Sequence, residues 1–121
     1  MKYFFIYPVL IVIFIGCGAS DYNDSIGLGY SIHRFNSFEK VIGPDNGALL
    51  YSTSSNLGPL NRYTISNNLI IAEHFGAIKE FETDKSSKKY IIIDTEKNTY
   101  KGPLSVLPSS YNNLNWKSPL W

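Results

Sequence analysis

The apolar positions of this chain form one long run at its start and several short runs after residue 25. Residues 3–15 are apolar or aromatic except for Pro8. This run is shorter than the roughly 20 residues that a membrane-spanning helix needs, and an internal proline disfavours such a helix further. After residue 25, apolar and polar residues alternate with a period of two, which is typical of strands with one buried face. The pattern therefore predicts a short N-terminal helix followed by a β-structured body.

The first half of this body contains three predicted strands. They cover residues 26–33, 38–42 and 48–53. The alternation of the first strand is lost at Arg34 and Phe35, which indicates a bulge or a strand end. Residues 43–47 predict a turn, because proline fixes φ while asparagine and glycine tolerate positive φ. A polar loop is predicted at residues 54–59.

The second half contains two predicted hairpins. Their strands cover residues 60–66 with 69–75, and residues 90–93 with 99–101. Asn67 and Asn68 predict a two-residue turn, because asparagine adopts the left-handed conformation readily. Residues 69–72 are apolar on both faces, which predicts a central strand covered on each side. Gly76 is expected to end that strand, residues 77–83 fit a strand or one helical turn, and residues 84–89 are predicted to be a polar turn.

These elements predict an all-β fold with an irregular C-terminal tail. The body forms a single small antiparallel sheet, a sandwich or a meander of about six to eight strands. Eleven basic and ten acidic side chains give the chain a net charge of +1. This balance excludes a dedicated nucleic-acid-binding protein, which needs a basic excess to neutralise phosphates. The length suits one domain with a modest core.

The only cysteine, Cys17, directly follows the N-terminal apolar run. Lys2 precedes the run, and the small residue Gly16 separates it from Cys17. An ordinary secretory signal peptide would also fit, and Cys17 would then be incidental. The segment resembles the signal peptide and lipobox of bacterial lipoproteins. This resemblance implies cleavage between Gly16 and Cys17, a diacylglycerol on the Cys17 sulfur, and a further acyl chain such as palmitate on the new amino group.

The lipobox resemblance divides the chain into three parts. Residues 1–16 are a signal-peptide helix, residues 17–25 are the lipidated cysteine with a tether, and residues 26–121 are the β domain. An extended tether reaches at most about 3.6 Å per residue, so the domain is expected to lie close to the bilayer. Membrane lipid bound through acylated Cys17 is then the first partner. The expected location is the outer membrane or the outer face of the cytoplasmic membrane.

A second resemblance covers most of the β body. Its pieces are residues 27–30 (Gly-Leu-Gly-Tyr), 68–71 (Asn-Leu-Ile-Ile), 90–94 (Tyr-Ile-Ile-Ile-Asp) and 100–104 (Tyr-Lys-Gly-Pro-Leu). Their order resembles a group of small bacterial lipoproteins, many from Bacteroidetes-type organisms. That group has no assigned activity, so the resemblance implies a location and no chemistry.

Few side chains suggest catalysis or metal binding. The candidates are His33, His74, Glu73 and Asp94, and a metal or acid–base site needs three or more such groups to converge. Neighbouring residues of a strand point to opposite faces, so Glu73 and His74 cannot meet. We therefore expect surface or edge-strand histidines, no metal site and no cofactor. No Gly-x-Ser-x-Gly motif is present, and acylation of Cys17 leaves no thiol nucleophile.

Two further features suggest binding. Lys85, Lys88 and Lys89 are expected to lie in a solvated turn, with contact to anionic lipid headgroups as the alternative. Trp116 and Trp121 lie in the tail, where they either pack over a sheet face or contact an envelope protein or glycan.

The sequence favours a non-catalytic, lipid-anchored module that binds an envelope component through an edge strand or an aromatic patch. The alternatives are an envelope-acting enzyme and an inhibitor of a lytic envelope enzyme. A concave pocket in which the histidines and carboxylates converge would favour the enzyme.

Overall fold

A computed structural model describes residues 22–111 and 113–119 of the chain. Within these ranges it contains seven strands and no helix, so no described segment is a helix able to span a membrane. The strands are β1 (Tyr22–Gly27), β2 (Tyr30–Arg34), β3 (Lys40–Pro44), β4 (Leu60–Ser66), β5 (Leu69–Lys79), β6 (Glu82–Asp94) and β7 (Thr99–Leu104). The predicted signal-peptide helix, Gly16, Cys17 and Trp121 lie outside the described residues.

The strands form two antiparallel meanders. Sheet A has the order β1-β2-β3, and sheet B has the order β4-β5-β6-β7. Within each sheet, every strand therefore pairs with its neighbours in sequence, as short hairpin connections allow. The prediction of an all-β fold of six to eight strands is confirmed.

The core lies between the two sheets. Sheet A contributes Ile32 and Ile42, and sheet B contributes Ile70, Ile91 and Ile93, all of which are fully buried in one cluster. These side chains alternate along their strands with residues that point to the other face, which gives each sheet one core-facing side. The domain is a small sandwich.

The C-terminal tail covers the second face and outer edge of sheet B. Lys117 exchanges two backbone hydrogen bonds with Tyr63 of edge strand β4. The hydroxyl of Thr64 donates to the carbonyl oxygen of Asn115 at 2.9 Å. The tail is irregular, as predicted, yet it gives β5 and β6 a cover on the side away from sheet A.

Two expectations for the first half of the body are wrong. The predicted strand at residues 26–33 is a hairpin, because Leu28 and Gly29 form a turn with φ of 59° and 77°. The alternation continues across this turn because the apolar side chains on both sides of it face the same core. Residues 48–53 form no strand: Leu49, Leu50 and Tyr51 pack onto the core with their side chains, but their backbone pairs with no strand.

The first strand also begins earlier in the chain than predicted. The predicted tether ran to residue 25, whereas β1 already begins at Tyr22 and pairs with β2 from that residue. Backbone pairing gives polar residues 22–25 a place in the sheet although they lack an apolar pattern. The β structure therefore begins five residues after Cys17.

The β5–β6 hairpin is longer than expected. The Asn67-Asn68 turn is confirmed, with φ of 55° at Asn67. Gly76 does not end β5, which continues to Lys79, and residues 80–81 form the turn that leads into β6. Residues 84–89 belong to β6, so the prediction of a polar turn there is wrong. Phe75 pairs with Lys88 and Gly76 with Asp84, so residues 85–87 form an unpaired bulge. This part of the hairpin extends beyond the core, where a strand needs no apolar face.

Candidate functional site

The four candidate chemical groups lie in separate places. His74 faces the core from β5, while Glu73 faces the opposite side of the same strand, as predicted. Asp94 lies at the end of β6, opposite Leu69 and therefore four residues of β5 away from Glu73. His33 lies in sheet A. Within the described ranges no three metal-ligating side chains come together.

His74 forms a closed hydrogen-bond network in the core. Its Nδ1 donates to the carbonyl oxygen of Gly58 at 2.8 Å, which leaves Nε2 as the acceptor for the hydroxyl of Tyr51 at 2.8 Å. The Tyr51 oxygen in turn accepts the backbone N–H of Ile42 at 3.1 Å. Every polar atom of the imidazole is therefore satisfied, and the network ties loop 48–59 to both sheets.

The electrostatics of this network keep His74 neutral. Burial lowers the pKa of His74 to about 4, against the weaker opposing effect of the bond to Gly58. Burial also raises the pKa of Tyr51 well above its ordinary value. Both groups are thus uncharged at neutral pH, and His74 is fully buried.

His33 also ties strands together. Its Nε2 donates to the carbonyl oxygen of Pro44 at 2.9 Å, and its Nδ1 lies 2.8 Å from Oδ1 of Asn23. These contacts connect central strand β2 to both of its neighbours. The expectation of surface or edge-strand histidines is wrong for both residues, since His33 and His74 are buried in β2 and β5. Each ring is accommodated because both of its nitrogens find partners.

Glu73 is a buried carboxylate that accepts four hydrogen bonds from three side chains. Arg62 binds it through Nε at 2.7 Å and a terminal nitrogen at 3.1 Å. Asn61 and Tyr90 donate to it at 2.8 and 3.1 Å. Burial alone would raise the pKa of Glu73, but these hydrogen bonds and the charge of Arg62 hold it below its usual value. A carboxylate whose oxygens already accept these hydrogen bonds is a poor general base.

Trp116 completes this cluster from the tail. Its ring lies 4.3 Å from the guanidinium carbon of Arg62, in a cation–π stack. The side chain is half-buried, so one of the two predicted contact residues is engaged within the molecule. Arg62 therefore connects buried Glu73 to the tail.

A groove lies on the tail side of sheet B, near the β6–β7 turn. We call it the β6–β7 groove, and its volume is about 280 Å³. It is lined by Leu69, Ile92, Asp94, Lys97, Thr99, Tyr100, Lys101 and Tyr111. The strands provide an apolar floor, and the hairpin turn and tail provide polar walls. Such a combination suits a ligand with an apolar body and a charged group.

The charge of this groove is positive. Oδ1 of Asp94 accepts hydrogen bonds from the backbone N–H groups of Glu96 and Lys97 at 3.1 and 3.2 Å. These bonds stabilise the β6–β7 turn. Among the described residues, neither Lys97 nor Lys101 has a carboxylate within ion-pairing distance. Both ammonium groups are therefore open to an anionic ligand. The predicted hairpin includes Lys97 in its turn and Lys101 in its second strand, but nothing in the sequence indicated these lysines or Tyr111 as a binding site.

A second cavity of about 330 Å³ lies on the other side of β7. It is lined by Leu50, Tyr51, Ser52, Ser54, Leu57, Ile91, Tyr100 and Pro103. None of these side chains is charged at neutral pH.

The predicted lysine cluster is also distributed differently from the expectation. Lys85 is exposed in the β6 bulge, while Nζ of Lys88 lies 4.6 Å from the centre of the Phe75 ring. Nζ of Lys89 donates to the hydroxyl of Ser105 at 3.2 Å. Two of the three cations therefore make contacts within the molecule.

No family model matches the chain, and no curated protein or solved structure matches it either.

Proposed function

We propose that this protein is a lipid-anchored protein of the bacterial cell envelope whose β domain is a non-catalytic binding module. The N-terminal pattern that ends in Gly16-Cys17 supports the anchor. β1 begins at Tyr22, five residues after Cys17. An anchor at Cys17 would therefore hold the β domain close to the membrane. Two or three acyl chains on one residue hold a protein stably on a membrane, whereas one chain does not.

The β6–β7 groove is the binding part of this proposal. Lys97 and Lys101 present unpaired charges beside Tyr111 and an apolar floor. An envelope protein or glycan that carries an anionic group matches this chemistry, because the ammonium groups supply attraction and the aromatic wall supplies contact area. The unpaired lysine pair in a concave site is the observation that carries this part.

Replacement of Cys17 tests the anchor. The Cys17→Ser chain, expressed in a bacterium that processes lipoproteins, is expected to accumulate as an unprocessed or soluble product. A Ser20→Ala chain, altered in the same segment, is expected to mature and remain with the membrane. Fractionation and gel mobility measure both properties. Normal maturation and membrane partitioning of Cys17→Ser would refute acylation.

Charge reversal in the groove tests the binding module. Crosslinking in intact cells, followed by recovery of the anchored protein, is expected to yield one stoichiometric envelope component. Lys97→Glu and Lys101→Glu together are expected to abolish its recovery, while Lys85→Glu, an equal change at an exposed site on β6, leaves it unchanged. Recovery that survives the double change would exclude the groove as the binding site.

A further inference from the structure

Two large apolar side chains are exposed together at the β5–β6 turn. Ile78 is 64% exposed and Phe81 is 62% exposed. We call residues 76–84 the arm, because they pair with each other beyond the bulge and extend past the core. Exposed apolar side chains that form one patch mark a contact with a protein or a membrane, whereas single exposed ones are normal.

The register places this tip at the end of the molecule where the chain enters. Tyr22, the first residue of β1, pairs with Arg34, the last residue of β2. The β2–β3 loop that follows carries Phe38, whose ring centre lies 5.6 Å from that of Phe81. The arm tip therefore lies beside the end of sheet A from which residues 17–21 lead to the anchor.

The length of this link fixes what lies opposite the tip. Five residue steps from Cys17 to Tyr22 span at most about 18 Å when fully extended. If Cys17 is held at the bilayer surface, the entry end of sheet A cannot leave that surface by more than this distance. A lipid surface is therefore the partner that the anchor keeps near this end of the domain.

The charges at this end nearly cancel. The charged side chains of the arm and of residues 34–40 are Arg34, Glu39, Lys40, Lys79, Glu80, Glu82 and Asp84. Lys79 and Glu82 form an ion pair at 3.5 Å. Three basic and four acidic groups give no attraction to anionic headgroups. Contact with lipid must then depend on the apolar side chains.

We propose that the arm tip docks on the bilayer, with Ile78 and Phe81 inserted at the headgroup level. This inference rests on the proposed acylation of Cys17, which keeps the tip near the lipid. It also assigns an orientation: the β1–β2 turn, at the opposite end of sheet A, points away from the membrane. Leu28 in that turn is 47% exposed and provides a matched apolar reference.

Tryptophan fluorescence in vesicles tests this orientation. Full-length protein is expressed with Phe81→Trp, Ile78→Trp or Leu28→Trp, purified in its acylated form and reconstituted into phosphatidylcholine vesicles that contain brominated lipid. The unsubstituted protein provides the background from Trp116 and Trp121. At positions 78 and 81 we expect a blue-shifted emission and at least about twofold stronger quenching than at position 28. Added phosphatidylglycerol or salt is expected to change neither result.

Two failures are distinguishable in this experiment. Acylated protein whose tryptophans at positions 78 and 81 are quenched no more than the one at position 28 would overturn the docking inference alone. Protein that carries no acyl mass on Cys17 would overturn the proposed function and this inference with it. Strong dependence on phosphatidylglycerol would contradict the apolar contact, because charge would then provide the binding.

Discussion

The β5–β6 hairpin has two halves that differ in almost every physical respect. In the inner half, five consecutive residues of β5 are buried, from Ile70 to His74. In the arm, Ile78 and Phe81 are more than half exposed. The inner half is covered by sheet A on one side and by the tail on the other, whereas the arm extends past both. One hairpin thus provides the centre of the core and an apolar tip outside it.

The largest expected difference between the halves is in stability. Ile91→Ala removes a fully buried side chain of the inner half and is expected to lower the free energy of unfolding by about 2–5 kcal/mol. Ile78→Ala, in the arm, is expected to change it by less than about 0.5 kcal/mol. Urea titrations followed by circular dichroism measure both. Similar losses for the two variants would show that the arm is part of the core.

The next effect is a pH dependence that originates in the inner half. Burial lowers the pKa of His74 from 6.5 to about 4. Between pH 6.5 and pH 4, His74 is therefore protonated in the unfolded chain but not in the folded chain. Stability is therefore complete above pH 6.5 and decreases as the pH falls towards 4, by about 3 kcal/mol in all.

The control for this effect is His74→Gln, whose stability is expected to change less across the same window. The pKa of Glu73 lies below its usual 4.5, so its own contribution is lost only at lower pH. Urea midpoints measured from pH 7 to pH 4.5 compare the two chains. Parallel curves would contradict a neutral, buried His74.

A smaller effect is expected where the two halves meet. A Cβ added at Gly58 would lie 2.4 Å from the carbonyl oxygen of Gly76, the first residue of the arm. Gly58→Ala is therefore expected to cost about 2 kcal/mol, because backbone must move to relieve the contact. Gly47→Ala meets nothing within 4 Å and is expected to cost less, about 1 kcal/mol, from its φ of 84° alone. Equal losses in thermal or urea unfolding would contradict this close packing.

The inner half was also the part that the sequence predicted best. Its apolar run on both faces indicated a central strand, and Asn67-Asn68 indicated the hairpin turn, because these signals depend on local chemistry. The arm was predicted only in part. Of the two alternatives for residues 77–83, the strand is confirmed at residues 77–79 and 82–83, whereas the pattern could not decide between them because a strand outside the core needs no alternation. The first hairpin gives the pattern of one strand because its turn preserves the alternation. Residues 48–53 give the pattern of a strand because side-chain packing onto the core produces the same apolar signal as backbone pairing.

The candidate site was predictable only in part. Neighbours on a strand cannot share a face, which correctly separated Glu73 from His74. The partners of each side chain come from distant segments: Gly58 and Tyr51 for His74, and Arg62 for Glu73. The groove likewise depends on how the tail folds back, which no short-range pattern specifies.

The proposed orientation depends on the anchor, so the chemistry of Cys17 is the most direct test. Mass spectrometry of the N-terminal peptide from protein purified from membranes measures it. The account predicts a mature chain that begins at Cys17 and carries a diacylglycerol on its sulfur, with a further acyl chain on its amino group. A peptide with an unmodified Cys17 thiol would contradict it.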